Sequence, residues 1–121
     1  MPQPIVYVEL GAVDVPRAAA FYSSVFGWEF TDPNSEGYSP FSTGPSGIGG
    51  GIYKALKVAT GGGVVMYLLV DDVDEYAKRI TLAGGTVVVP KSSIPGTGWY
   101  CHFKDVDGNL LGLLTPLNMT A

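Results

Sequence analysis

An α+β fold of two tandem strand-helix-strand-strand-strand modules is predicted by three features of this 121-residue chain. Two helix-type apolar stripes each follow an aspartate, short β-branched or aromatic runs surround both, and one spacing of 58 residues maps the first half onto the second. The length suits a single domain over 1–121, with module 1 at about 4–57 and module 2 at about 63–117. With 46% hydrophobic and 15% charged residues and no long polar tract, burial can offset the conformational entropy of folding.

Ile5 to Leu10 reads as a strand, and Asp14 supplies a side-chain oxygen to cap the helix that follows. Pro16 fits a first helical turn, and Ala18, Ala19, Tyr22, Val25 and Phe26 form a core-facing stripe that stops at Gly27. Trp28–Phe30, Tyr38–Ser42 and Ile48–Lys54 follow as short strands. After Gly61-Gly62-Gly63, a flexible break, the pattern restarts with a strand from Val64 to Val70. Asp72 caps the second helix, with Glu75 three residues on, and Val73, Tyr76, Ala77, Ile80 and Ala83 make its stripe up to Gly84-Gly85. A strand is expected at Thr86–Val89. Pro90, Pro95, Gly96 and Gly98 then mark Lys91–Gly98 as a rim loop. Trp99–Lys104 and Asn109–Thr115 close the module around an Asp107-Gly108 turn.

Composition excludes several functions. A net charge of −4, with the seven Lys and Arg scattered, argues against a nucleic-acid surface. The longest apolar stretch, Val64 to Val70, is far short of the roughly 20 residues of a membrane helix. Cys101 is the lone cysteine, so no internal disulfide forms, and no secretory leader is evident, which makes the cytoplasm the expected location.

The spacing of 58 relates Asp14 to Asp72, Val15 to Val73, Ala19 to Ala77, Gly27 to Gly85 and Gly50 to Gly108. The segments around Tyr7–Leu10, Asp14–Tyr22, Phe26–Phe30, Val70–Tyr76, Ala83–Gly85 and Phe103–Asn109 resemble the vicinal oxygen chelate superfamily. That family takes in glyoxalase I, bleomycin-resistance proteins, fosfomycin-resistance enzymes and extradiol dioxygenases. The pattern is closest to short bacterial glyoxalase-like proteins. The resemblance implies tandem βαβββ modules, a mixed sheet curled into a cup with helices outside, and a homodimer. A small organic molecule would occupy the cleft between the modules.

In metal-dependent members the resemblance places ligands at two positions per module, which fall here at Tyr7 and Val65 and at Lys54 and Gly112. Val and Gly carry no donor side chain and Lys is normally cationic, so no metal and no other cofactor is expected there. A displaced site on Glu9 and His102 would begin with only two ligands. Strand alternation puts Ile5, Tyr7 and Glu9 on one wall and Val65, Tyr67 and Leu69 on the other, with Leu110, Gly112 and Leu114 on the closing strand. Comparison with fosfomycin-resistance members turns Tyr100 and His102 inward.

Glu9 and His102 are the catalytic candidates: a carboxylate on an apolar wall can act as general base, and an imidazole can polarise or reprotonate a substrate. The alternative is structural, with Glu9 paired to a buried tyrosine hydroxyl or Arg17 and His102 filling a polar niche. Tyr7, Tyr67 and Tyr100, with Lys54, Val65 and Gly112, are candidates for ligand contact, and aromatic faces with hydroxyl tips suit a flat, partly apolar ligand. Cys101 and His102, adjacent on one strand, point to opposite faces and form no nucleophile-base dyad. Gly47, Gly49, Gly50 and Gly51 lack the Lys-Ser or Lys-Thr of a phosphate loop and shape a strand connection. Trp28 and Trp99 fit core or pocket wall. Two functions compete: a glyoxalase-like lyase or isomerase working without metal, and a non-catalytic antibiotic- or metabolite-binding protein of the bleomycin-resistance type, which an acidic aromatic groove would direct to cationic aromatic ligands.

Overall fold

A computed structural model of the chain describes residues 2–31, 37–58 and 64–119, and the Gly61-Gly62-Gly63 break lies outside them. The chain divides into two compact units, Met1–Val58 and Ala59–Ala121. Each unit has the expected order of one strand, one helix and three strands, in a four-stranded mixed sheet.

In the first unit β1 (Tyr7–Ala12) is followed by α1 (Val15–Phe26), β2 (Glu29–Phe30), β3 (Ser39–Ser42) and β4 (Gly49–Lys54). The sheet order is β1-β4-β3-β2, with β1 parallel to β4 and the other pairs antiparallel. α1 starts at Asp14, whose carboxylate accepts the Arg17 amide at 3.1 Å. It stops where Gly27 turns left-handed (φ 71°) and its amide donates to the Ser23 carbonyl at 3.0 Å. Val15, Ala18, Phe21, Tyr22 and Val25 are buried with Leu10, Ala12, Phe41 and Ile52 of the sheet. Phe21 takes the core place that periodicity assigned to Ala19. Trp28 is core, stacked between Tyr22 and Phe41 with ring centroids 4.6 and 4.5 Å away.

In the second unit β5 (Met66–Leu69), α2 (Val73–Leu82), β6 (Thr86–Ile94), β7 (Gly98–Lys104) and β8 (Leu110–Pro116) give the order β5-β8-β7-β6. Asp72 accepts the Glu75 amide at 3.2 Å. α2 buries Val73 and Ile80 in a unit whose sheet buries Cys101, Phe103, Leu111 and Leu113. The rim loop expected over Lys91–Gly98 is strand for most of its length. β6 lies at the sheet edge and its register slips between Val87, Val89 and Ser92, so Pro90 sits in a bulge where a missing donor costs nothing. The reversal is confined to Ile94–Thr97, closed by the Thr97 amide on the Ile94 carbonyl at 2.9 Å. The β7–β8 turn is organised by Asp105, whose Oδ1 accepts the amides of Asp107 at 2.8 Å and Asn109 at 2.9 Å.

The spacing of 58 holds through the helices, where Tyr22 and Ile80 are both fully buried, and then drifts. The left-handed glycine after α2 is Gly84 (φ 99°), one residue before the expected Gly85. In the last strands the drift reaches three residues: β1–β4 pairs Glu9 with Gly51, whereas β5–β8 pairs Tyr67 with Gly112. The first-unit counterpart of Gly112 is therefore Gly51 and not Lys54, and Gly50 and Gly108 are not equivalent. An odd shift also reverses facing, so Lys54 lies on the opposite face of the sheet from Glu9. Among the described residues no helix is long and apolar enough to cross a membrane.

Candidate functional site

Each sheet turns one face to its helix and leaves the other open, and the candidate residues gather on the open faces. In the first unit the parallel register aligns Tyr7 with Gly49, Glu9 with Gly51 and Gly11 with Tyr53, setting all six on one side. Tyr7, Glu9 and Tyr53 are exposed. The ring of Tyr38 lies over Gly51, filling the space a β-carbon there would need, and the ring of Tyr53 lies against Gly11, its hydroxyl 3.0 Å from where a β-carbon would stand. The Tyr38 hydroxyl is 2.5 Å from that of Tyr7 and is also hydrogen-bonded to Glu9. A carboxylate oxygen accepts, so Tyr38 is the donor toward Glu9, while either hydroxyl can donate in the Tyr7–Tyr38 bond. The Tyr7 bond foremost, then burial and the Glu9 carboxylate, raise the Tyr38 hydroxyl well above the ordinary tyrosine pKa.

The second unit repeats the device with different chemistry. Gly112 pairs with Tyr67 on one side and His102 on the other, and Tyr100 pairs with Leu114, so these side chains share the open face. The Tyr67 ring occupies the space beside Gly112, 2.5 Å from where a β-carbon would stand. Its hydroxyl lies 2.7 Å from Nε2 of His102. The His102 ring is 5.6 Å from Tyr67 and 5.3 Å from Tyr100, tilted to both. Val65, two residues before Tyr67, is half-buried just ahead of β5.

Two tyrosine clusters thus form, Tyr7-Glu9-Tyr38 and Tyr67-His102-Tyr100, and Glu9 and His102 belong to different units. Glu9 takes a tyrosine partner, Tyr38, which is half-buried and not the buried tyrosine of the structural alternative. Lys54 is outside both clusters, its Nζ donating to the Val13 carbonyl at 2.5 Å. Cys101 faces away from His102, fully buried, and burial pushes its thiol up to about 11. Trp99 is half-buried, with the Lys91 ammonium 5.0 Å from its ring centre. Tyr38 and Tyr53 were not among the site candidates, and Gly49, Gly50 and Gly51, expected to shape a strand connection, lie within β4. The one available signal for the two tyrosines was the glycine run itself, because strand glycines leave room that a neighbouring ring fills.

The positions that would hold a metal do not suit one. Gly51 and Gly112 lack donors, and the space a ligating side chain would need there is taken by Tyr38 and Tyr67. Among the described residues no group of three His, Cys, Asp or Glu comes together.

A family model described as the Glyoxalase/Bleomycin resistance protein/Dioxygenase superfamily matches residues 5–113. The chain belongs to this superfamily. A glyoxylase-like domain-containing protein of Didymella fabae is 32% identical over 116 residues, covering 89% of this chain and 90% of the relative. The anthracycline biosynthesis protein DnrV of Streptomyces peucetius is 29% identical over 84% of the chain, which spans only 43% of that relative's length. Among solved structures, the fosfomycin resistance protein FosX of Listeria monocytogenes superposes with a TM-score of 0.79 at 21% identity, covering 100% of both chains. TioX of Micromonospora sp. ML1 gives 0.67 at 25%, covering 95% of this chain and 100% of TioX. The superfamily fold is thus common to proteins of different named roles, and chemistry has to be argued from the tyrosine clusters.

Proposed function

We propose that this glyoxalase-superfamily protein binds a flat, partly apolar small molecule on the tyrosine-lined open faces of its sheets, without metal at the superfamily positions. The observation that carries this reading is the replacement of both last-strand ligand positions by glycine under a tyrosine ring. Such a wall presents aromatic faces for stacking and hydroxyls for orientation, the usual composition of a small-molecule site. Support comes from DnrV, named as a protein of anthracycline biosynthesis, a chemistry of fused aromatic rings. A catalytic role is the second reading and rests on the Tyr67 hydroxyl at 2.7 Å from His102 Nε2, a pair able to pass a proton to a bound carbonyl.

Fluorescence titration with a panel of soluble planar aromatic compounds tests the binding function. Removing one stacking ring costs about 1 kcal/mol, so Tyr67→Ala should weaken the best ligand roughly fivefold or more. Absence of saturable binding by every planar compound, or equal affinity in Tyr67→Ala, sinks the proposal. The catalytic reading predicts that His102→Gln abolishes turnover of an identified substrate while sparing its binding.

A further inference from the structure

On the open face of the first unit, phenol rings surround the Glu9 carboxylate. Tyr7 precedes Glu9 by two residues on the same side of β1, Tyr53 covers Gly11 two residues after it, and Tyr38 covers Gly51 directly across from it. Glu9 is exposed and, among the described residues, makes no ion pair, while the Tyr38 hydroxyl supplies a hydrogen bond. A carboxylate offers about four acceptor sites, so this bond leaves lone pairs facing outward. Lys54, the cation of β4, is on the opposite face and engaged with the Val13 carbonyl. The electron-rich faces of tyrosine attract cations, and Glu9 supplies a full negative charge among them. At the equivalent place in the second unit stands Tyr67, beside neutral or basic groups, so the acidic aromatic arrangement is peculiar to the first unit.

We infer that Tyr7, Glu9, Tyr38 and Tyr53 form a recognition site for an organic ammonium, so that the flat ligand of the proposed function carries an amine or quaternary nitrogen. This rests on the proposed small-molecule function and adds a charge requirement to it. Glu9 is then a binding residue. The ligand's nitrogen sits against its carboxylate, and the tyrosine faces exclude water from one side of the contact. Tyr7 and Tyr38, locked together through their hydroxyls, hold the carboxylate and the rings in place before the ligand arrives.

The probes are two fluorescent compounds with one ring system, (anthracen-9-ylmethyl)trimethylammonium and the neutral 9-anthracenemethanol. A cation-aromatic contact and a charge pair together are worth roughly tenfold in affinity, so the ammonium compound should bind about ten times more tightly. Glu9→Gln, which keeps shape and hydrogen bonding, should reduce that preference to about twofold. Circular dichroism and thermal midpoint confirm that the variant is folded. Equal binding of both compounds by the unaltered protein, or a preference that survives in Glu9→Gln, overturns the ammonium site and leaves the proposed function standing. Failure of both compounds to bind, along with every other planar compound of the panel, overturns both.

Discussion

Tyr38 is the residue whose environment departs furthest from expectation, and its pH behaviour has a definite sign. Its pKa is raised in the folded state, so the hydrogen bonds to Tyr7 and Glu9 are intact below the unfolded-state value of about 10 and are lost as pH climbs through the folded value. Phenolate absorbance during alkaline titration should contain a late-ionising tyrosine that disappears in Tyr38→Phe. Loss of a component with an ordinary midpoint instead would show that the Tyr7-Tyr38-Glu9 cluster does not form. Cys101 offers a second check: fully buried and raised to about 11, its thiol should stay unmodified by a disulfide reagent at neutral pH and react stoichiometrically once denaturant is added. Rapid native-state labelling would contradict its inward orientation. That orientation followed from strand parity with His102. The ring over Gly51 did not, because Tyr38 reaches it from another strand.

At the scale of elements, both helices are fixed by aspartates that accept an amide three residues on, Asp14 from Arg17 and Asp72 from Glu75. Replacing either by alanine should lower stability by about 1 kcal/mol, read from chemical denaturation with unchanged m-value. A loss within error at both positions would mean that water satisfies these helix ends equally well. The caps, the stripes and the left-handed Gly27 were legible because each is written within a few residues of chain. Lys91–Gly98 was not, since Pro and Gly signal a loop unless the strand is an edge with a bulge, and edge position is decided by which strands pair. The same holds for Asp105, whose two backbone contacts organise the turn that Asp107-Gly108 advertised.

For the molecule as a whole, tyrosine rings in place of metal ligands predict indifference to chelators. Removal of divalent ions should leave the thermal midpoint within about 1 °C, and added manganese or zinc should not raise it, because only an ion that binds the folded state shifts the equilibrium. A rise that saturates with metal would place ligands elsewhere in the chain. The sequence by itself determined the α+β class, the tandem βαβββ order, both helices and the face shared by Tyr7 and Glu9, since periodicity and caps are local. Tertiary structure alone decided that the two last strands differ in register by three residues. That shift moved the counterpart of Gly112 from Lys54 to Gly51, sent Lys54 to the other face, and left the space that Tyr38 and Tyr67 fill. Register depends on which backbone groups pair across the sheet, and side-chain facing reverses with every single-residue step, so a spacing that is right for the helices carries no information about it.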